Sequence, residues 1–559
     1  MKSNDNNNSE NGGTSMTKIE IERKNLIDLI SDFIVDEKFS ELDSLEKQIL
    51  GMNDKELLSL YSEAYLLWGN SLEDISDTKE GEELEELYNQ VFEIYQKAIE
   101  IKPDNCNVLY NWANDLGVLA KTKEQNEAEE LQKQSFEKYQ KAIDCNPDFH
   151  EAYYNWGCAL GNLAETKKGE EAEELYNQAF EKFQKAIDIK PDKDEVYCNW
   201  GADLGDFALT KEGKEADDLY NQAFDKFQKC IELIPDFYQV YYNWGCTLGD
   251  YALTKEDEEA DALFQLAFEK YHKAIELNPE YHEAYYNWGF SIGEYAETKD
   301  GEEAEILYNQ AFEKFRKAIE IKPDFDEAYN IWGNCLSYLA LIKDGTEAEK
   351  LYHQAFEHYK SAIEINPNSA VYFFNWANTI GDYAKTKEGC EADELYNQCF
   401  EKFQKATELQ PDDPDFFYNW AGYLIDFAST KVDSTVEKLY FIAFEKLQMV
   451  IEIEPDYSKA YNRWGYCLIV LAKIKSGREA EELFNQAKEK LDICVSLSGA
   501  HYNLACLNAL LKNIDEAFEL LEISLINDET EYEIVENDSD WDGLRDDPRY
   551  KKLKKRFLN

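Results

Sequence analysis

The sequence predicts an all-α fold: an α-solenoid, a right-handed superhelix of stacked antiparallel helix pairs. Three observations predict it. Trp68, Trp112, Trp156, Trp200, Trp244, Trp288, Trp332, Trp376, Trp420 and Trp464 step by 44 residues, as do the prolines from Pro103 and Pro147 through to Pro455. Each 44-residue segment carries two apolar patterns of helical period, and a fixed period of this length is the mark of a repeat array. At 559 residues the chain also exceeds what one globular core usually covers, whereas an array grows along one axis.

The elements follow in chain order. Residues 1–16, beginning MKSNDNNNSENGGTS, have no apolar run and are expected to form a disordered tail. Residues 17–61 carry Leu26, Ile27, Ile30 and Phe33, then Leu42, Leu45 and Ile49, and are expected to be a helical cap on the first repeat. Residues 62–497 are expected to hold ten repeats without an insertion. In one of them, His150 to Lys193, Trp156, Leu160 and Ala164 lie four apart, which predicts a helix from about Glu151 to Glu165. Lys168-Gly169 is expected to end it. A second helix is expected from about Glu170 to Ile189, with Leu175, Ala179, Phe183, Ala186 and Ile187 as its stripe and Pro191 as its stop. Acids at its start and Lys182 and Lys185 toward its end suit the helix dipole. The Trp, Phe183-type and Ala positions are expected to be core, because no helix pair can bury its own face alone. Gly157 and Gly161 weaken their helix, which predicts close backbone approach there.

These residues resemble the tetratricopeptide repeat family. Trp156-Gly157, Ala179, Phe183, Ala186 and Pro191 take the places of that family's 34-residue pattern, with ten extra residues between Gly157 and Ala179. The resemblance covers about nine tenths of the chain and implies helices one to two turns longer than the family's. Residues 498–531, with Leu504-Ala505, Ala517 and Leu521, fit a final repeat of ordinary length, and 532–559 read as a closing helix and acidic turn. Asp538, Asp540 and Asp542 resemble the opening of a calcium-binding loop, but Arg549 stands at its twelfth position in place of Glu, so no calcium is expected.

Twelve Cys and six His show no C-x-x-C or H-E-x-x-H spacing. Cys158 and Cys246, and Cys230 and Cys494, occupy matching phases of the repeat and read as small apolar fillers in a reducing compartment. No metal, cofactor or catalytic constellation is expected, and the chain reads as a non-enzyme. No stretch approaches the roughly 20 apolar residues of a membrane span, so a soluble, cytoplasmic protein is expected.

Function is sought in residues that the core does not explain. Asn precedes Trp in seven repeats, as Asn111, Asn155, Asn199, Asn243, Asn287, Asn375 and Asn419. Seven residues further on stand Asn162, Asp206, Asp250, Glu294, Asp382 and Asp426, within about 20° of the same helix direction. In the family the first helices line the concave surface, and the Asn row is similar to an asparagine ladder that holds an extended polypeptide in one family member. A side-chain amide can pair with a peptide backbone whatever the guest's side chains. The alternative is that the same amides bond the neighbouring repeat and order the stacking.

With 58 Lys and Arg against 115 Asp and Glu, the net charge is −57. Nucleic acid is excluded as a partner, since its affinity rests on basic residues, and an anionic membrane surface is disfavoured. The expected partner is a basic, extended polypeptide. Family members that grip a terminal carboxylate use Lys, Asn and Arg on the first helices. Here Glu151, Tyr154, Asn155, Cys158, Glu195 and Asn199 fill those places, and only Lys459 and Arg463 look like half of such a clamp.

Overall fold

The computed structural model describes residues 17–558 apart from 74, 77, 78, 80, 124, 433 and 434, so the expected tail 1–16 lies outside the described residues. Two compact units meet in sequence at Pro279 and Glu280. Among the described residues there is no strand, and no helix is long and apolar enough to cross a membrane.

The first unit opens with helices Lys18–Val35, Phe39–Leu45 (a 3₁₀ turn) and Glu46–Met52. They bury Leu26, Ile30, Leu42 and Ile49 against Leu57 and Tyr61 of the helix Lys55–Glu73, which also carries Trp68. Antiparallel pairs then follow. The expected helices of the Trp156 repeat are observed as His150–Glu165 and Gly169–Ile189, and the next pair as Asp194–Ala208 and Gly213–Leu233. The unit closes with Tyr238–Leu253 and Asp257–Leu277. The second unit runs in the same way from His282–Glu297 and Gly301–Ile321 to the short pair Tyr502–Leu510 and Ile514–Ile526. A 3₁₀ turn, Ser539–Leu544, and a basic helix, Pro548–Phe557, end it, burying Trp541, Tyr550 and Leu553 against Phe518.

One boundary differs from the expectation. Gly169 does not end the first helix, which stops at Glu165 with Thr166 Oγ1 donating to the Leu163 carbonyl at 2.8 Å. Gly169 instead opens the second helix at φ +61°, a left-handed corner that turns the chain back on itself and that side chains disfavour.

Inside a pair the two helices touch because a side chain is missing. A methyl on Gly201 would lie 2.7 Å from Phe227 Cε1, and Gly157, Gly245, Gly289 and Gly333 meet the matching ring of their own second helix in the same way. The other glycine, Gly161, receives the carboxylate of Asp203 from the next repeat, and Gly205 receives Thr247. The close approach expected at Gly157 and Gly161 therefore serves two different contacts, one within the repeat and one between repeats.

Phe183, Tyr220, Phe227, Tyr352, Tyr359 and Tyr396 on the second helices are wholly buried. The Trp residues sit nearer the surface, under a cation. Lys138, Lys182, Lys226 and Lys270 lie 3.1, 3.7, 3.4 and 3.5 Å above the rings of Trp112, Trp156, Trp200 and Trp244. A second Lys series ties successive repeats: Lys211 pairs with Glu173 at 2.6 Å and Lys255 with Asp217 at 2.7 Å, each 38 residues back. Within each unit, consecutive first helices pack on one another while consecutive second helices meet mainly through the first helix between them. That asymmetry makes the first helices of each unit one continuous layer.

Candidate functional site

The amide row and the acid row both fall on the first helices, and their local geometry can be followed residue by residue. Asn155 Nδ2 donates to the Tyr110 hydroxyl at 2.7 Å and to Asn114 Oδ1 at 3.1 Å. Asn199 Nδ2 donates to the Tyr154 hydroxyl at 2.8 Å and to Cys158 Sγ at 3.3 Å. Asn111 donates to Asn70 Oδ1, Asn243 to Cys198 Sγ, and Asn375 to Asn330 Oδ1. Every one of these partners lies on the preceding first helix. Asn287 and Asn419 donate to the carbonyls of Glu283 and Asp415 on their own helix. The amide thus contributes its N–H to stacking or to its own turn. At Asn155, Asn199 and Asn375, all half-buried, the oxygen stays accessible as an acceptor.

Two clefts open along this face. In the first unit a cleft of about 220 Å³ is lined by Asn155 and Asn162 of the expected rows, together with Asn114, Tyr139 and Cys158. In the second unit one of about 210 Å³ is lined by Asn375, Asp382 and Asn419, together with Asn334, Tyr338 and Asn378. The sequence reading missed Asn114, Asn334 and Asn378. They stand three residues after the Asn position, one helical turn along the same stripe, so the i, i+3 spacing was the signal that could have found them.

The acids divide by whether a cation reaches them. In the second unit Asp382 and Asp426 flank Lys385, at 3.2 and 3.1 Å from its Nζ, and the Tyr423 hydroxyl donates to Asp382 at 2.9 Å. In the first unit Asp206 has no such cation. Burial, with the charges of Glu165 and Asp250, pushes its carboxyl up to about 7. Burial also raises Glu294, and burial with the charge of Glu294 takes Glu297 up to about 7. Asp203, which the sequence reading passed over, is 9% exposed, and burial next to Asp206 and Glu165 holds its carboxyl well above the usual range.

Other residues singled out by sequence have structural partners. Arg463 Nη1 donates to the Tyr418 carbonyl at 2.8 Å and stacks 3.6 Å above that ring, so only Lys459 of the half clamp is open. Asp538 accepts from the Tyr502 hydroxyl at 2.8 Å and from the Asp540 backbone N–H, and Asp540 pairs with Lys473. Protein donors fill that acidic turn. Cys230 and Cys494 are wholly buried and Cys158 and Cys246 half-buried, and all twelve cysteines are free thiols.

The residues that carry the repeat pattern meet in one place. Trp156 packs over the pair, Gly157 admits Phe183, and Ala179 and Ala186 are wholly buried at the crossing, in an arrangement that recurs from repeat to repeat. The chain is an array of stacked antiparallel helix pairs whose repeat resembles the tetratricopeptide pattern. The family model described as the plant-specific mitochondrial import receptor subunit TOM20 matches residues 146–244 and 263–379. A search of the curated proteins gave no match. Among solved structures, this array is similar to yeast Tom70 at 17% identity and TM-score 0.39, over 87% of this chain and 99% of that one. It is also similar to YrrB, described as a TPR protein with an unusual peptide-binding site, at 19% identity and TM-score 0.25, over 41% and 93%. A third likeness is a thermophilic TPR protein of Thermus thermophilus, at 15% identity and TM-score 0.30, over 41% and 98%.

Proposed function

We propose that this array is a non-enzymatic scaffold or adaptor that holds an extended, basic polypeptide segment along its first helices. The observation that carries the reading is that the amides and acids chosen from sequence line two clefts on that face, Asn155 and Asn162 in one and Asn375, Asp382 and Asn419 in the other. The chemistry of the clefts selects the guest. Amide oxygens line both clefts and the Asp382 carboxylate joins them in the second, an acceptor-rich lining that suits a guest bringing donors: backbone N–H, ammonium or guanidinium groups. The matched family model is that of an import receptor, a protein that receives other proteins, which supports a polypeptide guest.

A second reading has its own observation. The bonds from Asn111, Asn155 and Asn199 to the preceding helix are those of a stacking device, which favours an assembly element with an empty groove. One experiment separates the two. Labelled synthetic peptides of equal length, one Arg-rich, one neutral and one acidic, are titrated by fluorescence anisotropy at low and at high salt against the full chain and the Asn199→Ala/Asn243→Ala/Asn375→Ala variant. The scaffold reading expects selective binding of the Arg-rich peptide, weakened by salt and by the variant at unchanged helicity. Equal, salt-independent or absent binding of all three peptides favours the assembly element.

A further inference from the structure

Glu165, Asp203 and Asp206 converge at one end of the first helices of the first unit. Asp203 and Asp206 lie three apart on Asp194–Ala208 and so share a face. Asp203 reaches back onto Gly161 of His150–Glu165, and Glu165 stands one turn beyond that glycine. The absence of a side chain at Gly161 makes the hole that the Asp203 carboxylate occupies. Its Oδ2 is buried there without a hydrogen-bond partner. Buried polar atoms are nearly always paired, and an unpaired carboxylate oxygen is an expensive exception. Among the described residues, no hydrogen bond or ion pair reaches Asp203, Asp206 or Glu165. The other titratable groups facing them are Asp250, Tyr176, Tyr220, Cys158 and Cys246, none of which is a cation.

The geometry also says what kind of cation fits. No three ligand atoms of these residues fall within 4.8 Å of one another, a spacing too open for a single metal ion. A planar guanidinium, with five donors spread over its fork, spans such a gap. We propose that the Glu165, Asp203 and Asp206 carboxylates are the anchor for one arginine side chain of the guest, entering beside Gly161. This assignment rests on the basic-guest reading and adds its position and residue type. In the second unit Lys385 already sits between Asp382 and Asp426, as the guest's arginine would sit here.

Binding is then coupled to protons. Burial pushes the Asp206 carboxyl up to about 7 and holds Asp203 well above the usual carboxylate range while the site is empty, so Asp206 holds a proton for part of the time at neutral pH. A guanidinium stabilises the ionised forms and drives protons off, so affinity rises with pH through 7.

The test uses the full chain and a fluorescein-labelled nonapeptide in which Arg alternates with Ser, with a citrulline counterpart that keeps shape and loses charge. Titration calorimetry in two buffers of different ionisation enthalpy gives the protons released. Asp203→Asn is expected to weaken the Arg peptide about tenfold and to cut the proton release, and the citrulline peptide is expected to fail. Glu165→Gln, at an exposed site that folding does not depend on, is expected to act in the same direction to a smaller extent. If the chain binds the Arg peptide but both variants match it in affinity and proton release, the anchor is wrong and the basic-guest reading stands. If the unaltered chain does not bind the Arg peptide even at low salt, the anchor and that reading fall together.

Discussion

Replacing Gly201 with Ala adds one methyl at the crossing of a helix pair, and the structure decides its sign. The methyl would lie 2.7 Å from Phe227 Cε1, 2.8 Å from Cδ1 and 3.1 Å from Cζ. Carbon atoms rest at about 3.5–4.0 Å, so the overlap is roughly 0.8 Å. Phe227 cannot retreat: its ring is wholly buried, and it stacks on Trp244 at a centroid distance of 6.1 Å. Overpacking of this kind costs about 1–3 kcal/mol. Ala in place of Gly returns about 1 kcal/mol of helix propensity. The clash wins, and Gly201→Ala is expected to destabilise the Asp194–Ala208 and Gly213–Leu233 pair by about 1 kcal/mol. Gly51→Ala is the opposite case. It sits in the helix Glu46–Met52 with nothing within 4 Å of its added methyl, so it is expected to stabilise by about 1 kcal/mol. Native-state hydrogen exchange reads each local change directly, and urea midpoints by circular dichroism check the sum. Shrinking the ring, as Gly201→Ala/Phe227→Leu, should recover part of the loss. If Gly201→Ala stabilised its pair as Gly51→Ala does its helix, the account of these glycines as contact points would be refuted.

Three other perturbations have worked signs. His358 stands where the other repeats have the Lys over Trp; it stacks on Trp332 at 4.2 Å, and burial lowers it to about 4, so it is neutral. His358→Lys should therefore add a cation–π contact and raise stability by about 0.5–1 kcal/mol in urea titrations at neutral pH, and no gain would argue that the Lys caps elsewhere are idle. Burial first, and then the charge of Glu73, pushes the Asp115 carboxyl up to about 8 from 3.8. The folded state therefore holds a proton that the unfolded chain releases, and stability falls as pH rises from about 4 to 8. Asp115→Asn should match the unaltered chain near pH 4 and exceed it by about 2 kcal/mol at about pH 8; a difference that does not grow with pH would overturn the assignment. Lys211→Ala removes the bond to Glu173 and the cover over Phe207, costing about 1 kcal/mol, a loss that should shrink at about 1 M salt.

The repeat, the helix pairs and the first-helix stripe were legible because period and spacing are properties of sequence. The helix His150–Glu165 differs by one residue from its expected start, and Asn375, Asp382 and Asn419 do line one cleft. What spacing could not show was the partner across a helix junction. Lys182 looked like a dipole residue and lies over Trp156, 26 positions away in the chain. Asp203 was passed over, because nothing in its own helix says that Gly161, on another repeat, makes room for it. Lys168-Gly169 was read as a stop because Gly is common at helix ends, yet its left-handed φ places it at the start of the next helix.

On the scaffold reading, the amide row joins stacking to binding through the two ends of one side chain. Its donor is constant and its acceptor is not: Nδ2 goes to a Tyr hydroxyl from Asn155, to a thiol from Asn243 and to another amide from Asn375, each time on the preceding helix. A row kept for stacking alone would be served as well by any donor that reaches back, as Arg463 does when it takes the Asn place and bonds Tyr418. Asn does something that Arg cannot, because the atom beside its donor is an acceptor, and fixing the N–H on one neighbour fixes where that oxygen points. At Asn199, Asn243 and Asn375 such an oxygen shares its helix with a carboxylate seven residues on, whereas Ile331 and Tyr338 interrupt both rows together in the Trp332 repeat. A donor-bearing guest in the second unit should follow the same break, contacting the aromatic Tyr338 where the amide and the acid are missing.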